Sequence, residues 1–264
     1  MRNVVRKRLV REYYAKRSKD YDRQKSRTWK SGKGFGDEVF AALNESMLRF
    51  SNKLALEVGV GSGRNAIPLL EKIKIQWVGL DLSREMLELA KTKMSSFKER
   101  FDLILADGEH LPFVNRAFDT LLCMSTMHYF ENQKNILQKF RDSLKEDGTL
   151  VYGDLTVNEK DYQAFFEKLE RNLSKAHARY YKPSQIMTLL TKQGFHVSKM
   201  KTFAYRKTYR ALMEDKGQYF CVTPETLRKF IEGATEKAKE QYALTSNEMS
   251  LFYTIITARK EKQT

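Results

Sequence analysis

Between Leu54 and Leu70 the chain reads LALEVGVGSGRNAIPLL: a short apolar run, then glycines at 59, 61 and 63, then a segment of helical composition. That order specifies a strand, a tight turn and a helix, the first half of a βαβ unit. Further apolar runs follow at 76–80, 101–106, 118–124 and 149–153. Amphipathic segments separate them, notably 84–93 behind the capping residue Ser83, and 133–144 ended by the turn Glu146-Asp147-Gly148. Strands alternating with helices predict a doubly wound α/β fold around a mostly parallel sheet.

Beyond Asp154, helices are expected over 159–175 and 183–192, a sixth strand from Phe195 to near Tyr205, and a last strand over 250–258. The stretch between those strands, about 206–248, is too long for a hairpin and reads as an inserted helical cap, with Pro224 opening a helix over 224–242. Near the start, Val5, Leu9 and Tyr13 recur every fourth residue beside Val10 and Tyr14, which predicts a basic amphipathic helix. One domain over 1–264 is therefore expected, with an N-terminal helical part (1–50), a core (51–155) and a C-terminal half (156–264).

Of the net charge of +15, the flank 1–33 carries +10, residues 34–155 carry −3 and residues 156–264 carry +8. Basic flanks around a nearly neutral middle suit an anionic acceptor, RNA or anionic lipid, and equally a solvated lysine-rich surface. No apolar run nears the ~20 residues of a membrane span, and the first residues lack a signal-peptide pattern, so no transmembrane segment and a cytoplasmic location are expected. Cys123 and Cys221 have no metal-ligand spacing, so no zinc or other metal site is expected.

The glycine turn lets a ligand approach the backbone, and the adjoining helix start offers N–H groups to an anion. A dinucleotide site wants G-x-G-x-x-G, but Arg64 stands where the third glycine would fall. Glu57, inside the strand, would repel a pyrophosphate and could pair with a ligand ammonium, so an amino acid zwitterion fits better. Asp81 ends the second strand where a carboxylate can accept ribose hydroxyls; capping the next helix is its competing role, which Ser83 contests. Asp107, after the third strand, could meet an adenine amino group or simply make an Asp-Gly turn. His128 and Tyr129 follow the fourth strand, at the edge where such sheets bind ligands, and could orient an acceptor or take its proton. Packing is the plainer role for both. Cys123 reads as a small buried hydrophobe.

The blocks LALEVGVGSGR, VGLDLSREMLELA, ADGEHLPFVNRAFDTLLCMSTMHYF and ILQKFRDSLKEDGTLVYGD, in this order, resemble class I S-adenosylmethionine-dependent methyltransferases, in particular the branch that includes quinone-biosynthesis C-methyltransferases. The resemblance spans about 54–154, and residues 252–260 look like that family's last, antiparallel strand, which completes a seven-stranded sheet. It implies S-adenosylmethionine as cofactor, with Glu57, Gly59, Gly61 and Gly63 at the methionine part, Asp81 and Leu82 at ribose and adenine, Asp107 and Gly108 at adenine, and Met124 and Ser125 on the sulfonium side. The family builds a lid from its N-terminal helix and late insertions, which makes Tyr13, Tyr14 and Tyr21 the candidates over the acceptor, with His128.

The implied activity is methyl transfer to O, N or C of a small-molecule acceptor. An RNA-modifying enzyme and a non-catalytic cofactor-binding protein remain the alternatives, and a nicotinamide dehydrogenase is the residual one. Amino-methylating nucleic-acid enzymes often place Asn or Asp, two prolines and an aromatic after the fourth strand, where this chain has Cys123-Met124-Ser125-Thr126. Neither the acceptor nor the oligomeric state is written in the sequence.

Overall fold

The computed structural model describes residues 2–21, 35–50, 53–217 and 222–261. Cys221 and the basic stretch 22–33 lie outside them. One seven-stranded sheet forms the centre, in the order β3-β2-β1-β4-β5-β7-β6. Its strands are β1 (Leu54–Val58), β2 (Gln76–Asp81), β3 (Phe101–Leu105), β4 (Phe118–Met124), β5 (Leu144–Thr156), β6 (Phe195–Thr208) and β7 (Glu248–Lys260). β1 to β5 run parallel, and β7 lies antiparallel between β5 and β6.

β1 is apolar on both faces because both are covered. Ala55 joins one core layer with Val39, Leu43 and Met47 of α2 (Phe35–Met47) and Leu69 and Leu70 of α3 (Ala66–Lys72). Leu56 and Val58 face the opposite layer, with Phe140 of α5 (Gln133–Ser143) and Leu190 of α7 (Pro183–Lys192). Between β2 and β3, α4 (Arg84–Lys93) starts where Ser83 caps it by accepting from the Met86 N–H. β1 has β2 on one side and β4 on the other, so the connections diverge there and leave a crevice at the carboxyl ends of the strands.

A third core holds the later additions. α6 (Phe165–Leu173) packs Phe166 and Leu169 against Leu227 and Ile231 of α9 (Pro224–Glu232), around the buried Tyr242. The helix expected over 159–175 starts only at Phe165, because the Asp161 carboxylate accepts the N–H groups of Phe165 and Phe166 and acts as its cap. The helix expected over 224–242 is two. α9 stops at Gly233, and Thr235 caps α10 (Glu236–Gln241) by accepting from Ala238 N–H. β5, β6 and β7 extend beyond their expected ends, since their pairing continues to Thr156–Phe252 and Thr208–Glu248. A short helix, α8 (Tyr209–Leu212), and a π turn (Met213–Gly217) lead from β6 toward the cap.

α1 (Arg2–Arg17) is helical as expected, and Val10 and Tyr13 of the expected apolar stripe are buried, but Val5 is not and Arg17 joins the buried side. Val5 is 43% exposed, whereas Val10, Tyr13 and Arg17 are buried. Ion pairs set this rotation: Lys7 reaches Asp107 and Glu109, Arg6 reaches Glu131, and Arg17 reaches Asp215. No helix of the described residues is long and apolar enough to cross a membrane.

Candidate cofactor and acceptor site

The glycine turn is self-satisfied. Gly59 and Val60 N–H both donate to Leu80 O (2.8 and 3.0 Å), Gly61 N–H donates to Asp81 Oδ2 (2.9 Å), and Gly63 N–H donates to Val60 O (3.0 Å). These bonds occupy four amides of the turn itself and hold its shape. Gly59 (φ +80°) has no space for a side chain, since a Cβ there would lie 2.1 Å from Thr126 Oγ1. Gly59 and Gly61 line the crevice. Gly63 does not; its missing Cβ makes room for Met94 at the end of α4.

Glu57 lies beneath the crevice floor, fully buried, and does not line the cavity. Direct pairing of its carboxylate with a ligand ammonium is therefore replaced by an indirect arrangement. Asn65, which does line the cavity, donates to Glu57 Oε1 (2.9 Å), while Oε2 closes no hydrogen bond. Burial pushes the Glu57 carboxyl up to about 8, against the pull of Asn65, Trp77 and the Arg64 charge. A half-satisfied buried acid of this kind is stabilised in its charged form by a cation placed above it.

Asp81, at the tip of β2, accepts Ser83 N–H on Oδ1 and Gly61 N–H on Oδ2, each at 2.9 Å. Each oxygen keeps a lone pair, which fits two neighbouring hydroxyls of a ribose. Leu82, Asp107 and Gly108 line the next stretch. Asp107 Oδ1 accepts Glu109 N–H (2.9 Å), and Oδ2 takes Lys7 Nζ (2.5 Å) and His110 Nδ1 (3.2 Å), which leaves capacity on Oδ1 for an adenine amino group. Burial works against the Asp107 charge, but Lys7 and these hydrogen bonds hold its pKa below the ordinary value.

Beside Met124 and Ser125, the cavity includes a chamber lined by aromatic residues. Ser125 adopts φ +53°, its N–H donating to Gly153 O (2.6 Å) and its hydroxyl 3.0 Å from the Tyr253 hydroxyl. A non-glycine residue held in this region marks a point where the surroundings dictate the backbone. His128, in a 3-10 turn (Met127–Tyr129), meets the buried Asp154 of β5: Nδ1 lies 2.9 and 3.0 Å from the two carboxylate oxygens, and the His128 N–H donates to Oδ2 (3.2 Å). The carboxylate assigns the proton to Nδ1 and leaves Nε2 as an acceptor. The Tyr129 hydroxyl lies 3.1 Å from that of Tyr14.

Tyr13, Tyr14 and Tyr21 all line this chamber. Tyr13 OH donates to Asp215 O (2.8 Å), and Asp215 also receives Arg17 (2.9 Å) and Lys207, so the N-terminal helix and the turn after β6 meet at one carboxylate. Of the residues expected in the site, only Glu57 and Gly63 stay off the cavity wall. Sequence reasoning missed Asp154, Asn65, Arg17, Lys207 and Asp215. Asp154 alone carried a signal, as an acid ending a core strand. Cys123 is fully buried, which pushes its thiol pKa well up, as suits a packing residue.

Residues 55–148 match the family model described as a methyltransferase domain. Together with the 3-2-1-4-5-7-6 sheet and the acids at its edge, this decides the class. Residues 55–148 are a class I methyltransferase domain. The residues of the crevice fit S-adenosylmethionine, with Asp81 for the ribose, Leu82, Gly108 and Asp107 for adenine, and the buried acid Glu57, bound to Asn65, for the cationic part. Among relatives of this chain, an uncharacterised protein of Methanocaldococcus jannaschii is 29% identical over 140 residues, covering 53% of this chain and 63% of that protein. The demethylmenaquinone methyltransferase of Thermotoga maritima is 27% identical over 175 residues, covering 58% and 75%. The chain thus spans less than two thirds of the first relative's length. A crystal structure titled a putative methyltransferase, from Bacillus halodurans, shares the fold with a TM-score of 0.76 at 21% identity, covering 84% of this chain and all of that one.

Proposed function

We propose that the protein transfers the methyl group of S-adenosylmethionine to an oxygen of a small-molecule acceptor bearing a removable proton. The observation that carries this reading is the His128–Asp154 pair in the wall of the chamber. When bound, the cofactor supplies an activated methyl group on a sulfonium. The chain's own task is then to hold the acceptor in line, exclude water and take its proton, and positioning of this kind contributes on the order of 7 to 11 kcal/mol. His128 Nε2 receives the proton, while Asp154 fixes the tautomer and stabilises the imidazolium that results. Tyr14 and Tyr129, joined by their hydroxyls, orient the acceptor beside it. The enclosure by Tyr13 and Tyr14 of α1 and by Tyr21 just beyond it favours a small acceptor over RNA. So does the inward turn of Arg6, Lys7 and Arg17, whose charges meet carboxylates. The test is transfer of labelled methyl from S-adenosylmethionine into the small-molecule and RNA fractions of a cell extract. Label in the small-molecule fraction that disappears with His128→Asn is expected, and label in RNA alone would overturn the proposal.

A further inference from the structure

The chamber has a second functional wall, opposite in character to the His128–Asp154 pair. On β6, side chains two residues apart share a face, which sets Phe203, Tyr205 and Lys207 on the same side of the strand. The first packs into the core, and Tyr205 and Lys207 reach the cavity. A lysine in this register is unusual: Lys207 is only 8% exposed, so its ammonium is taken out of water. Such a charge is costly unless it is paired and hydrogen-bonded.

The pairing is partial. An ammonium has three N–H donors, and among the described residues the one partner of Lys207 is Asp215 Oδ2. That carboxylate is divided, because its other oxygen receives Arg17 at 2.9 Å. Lys207 therefore holds no carboxylate of its own, has N–H donors left over, and borders the chamber in which the acceptor would sit. The same point joins the two basic flanks, since Arg17 comes from α1 and Lys207 from β6.

Resting on the methyltransferase reading above, we propose that the acceptor carries an anionic group, a carboxylate or phosphate, seated on Lys207 beside Arg17. The anion supplies hydrogen-bond partners to the N–H donors of Lys207 that Asp215 leaves over. The acceptor is thereby anchored at one end, with its reacting oxygen free to face His128. Glu170 also lines the cavity, and its carboxylate disfavours a second anionic group on the acceptor.

The experiment is calorimetry on the full chain saturated with S-adenosylhomocysteine, titrated with 4-hydroxybenzoate, its neutral amide 4-hydroxybenzamide, phenyl phosphate and the cation tyramine. A charge-assisted contact of this kind corresponds to a preference of about 10- to 150-fold for an acid over its amide. Lys207→Met should abolish the preference and Lys207→Arg retain it, with S-adenosylhomocysteine affinity unchanged in both. Equal affinity of acid and amide, tighter binding of tyramine, no saturable binding of either acid, or an acid preference that survives Lys207→Met would each overturn the proposal. The comparison of acid with amide in the unaltered protein stands even if a Lys207 variant does not fold. Failure of S-adenosylhomocysteine to bind would sink the methyltransferase reading instead, and the charge preference would then be read on the protein alone.

Discussion

Replacing Asp154 by Asn tests the role of His128 without changing the shape of the site. Asp154 is buried and accepts three N–H groups: His128 Nδ1–H, His128 backbone N–H and Leu155 N–H. An asparagine has one acceptor oxygen and keeps only one of the two backbone N–H groups, which Asp154 takes on different oxygens; its NH2 turned to His128 Nδ1 drives the imidazole proton to Nε2, the atom required to accept. General-base participation contributes typically about 10²- to 10⁴-fold. A loss of that size in kcat is expected in both Asp154→Asn and His128→Asn, with the double variant no worse than the singles because the two act as a unit. The assay is single-turnover methyl transfer to an acceptor identified by label transfer, with S-adenosylhomocysteine affinity measured alongside. A kcat in folded Asp154→Asn within a few-fold of the unaltered protein would refute the reasoning. A fall explained wholly by lost cofactor binding would do the same.

Asp81→Ala removes the acceptors for ribose and should weaken S-adenosylmethionine binding by about 10- to 150-fold, read by calorimetry; an unchanged Kd in a folded variant would rule out the ribose role. Glu57 has a folded pKa of about 8 against an ordinary 4.5, so its contribution to stability is fully present below the ordinary value and is lost as pH rises through the folded one. Denaturant titrations without ligand should show a loss of about 1 kcal/mol per pH unit from this site across that window, a slope that Glu57→Gln removes. Gly59→Ala places a methyl group against Thr126 in a left-handed backbone, and should cost on the order of 1 to 3 kcal/mol, partly recovered by Thr126→Ala; no recovery with Thr126→Ala, or no loss at all, would exclude the clash as the cause.

The central sheet and the cofactor edge were legible in the sequence because both rest on local pattern. Runs such as 54–58 and 118–124 are apolar because parallel strands are covered on both faces, and Asp81 and Asp107 stand out as acids at strand ends. What escaped depends on partners distant in the chain. The register of α1 cannot be read from Val5 and Leu9, because Asp107, Glu109 and Asp215, about 100 to 200 residues away, turn its charged side inward. Lys207 looks like any strand lysine until α1 and the turn after β6 close over it. Glu57 was placed in the correct strand but one layer too high, since the pleat directs its side chain to Asn65 rather than to the cavity. The break at Gly233 was hidden because the apolar spacing runs on through it, although Thr235 supplies a fresh cap.

The account stands most directly on which nucleotide the crevice accepts, and calorimetry of the full chain with S-adenosylmethionine, S-adenosylhomocysteine and NAD measures it. Saturable one-to-one binding of the first two, weakened by Asp81→Ala, with no heat from NAD, is the predicted result, because Arg64 stands in place of the third glycine of a dinucleotide site and the acid Glu57 is buried beside the turn. Saturable NAD binding with no signal from S-adenosylmethionine would contradict it.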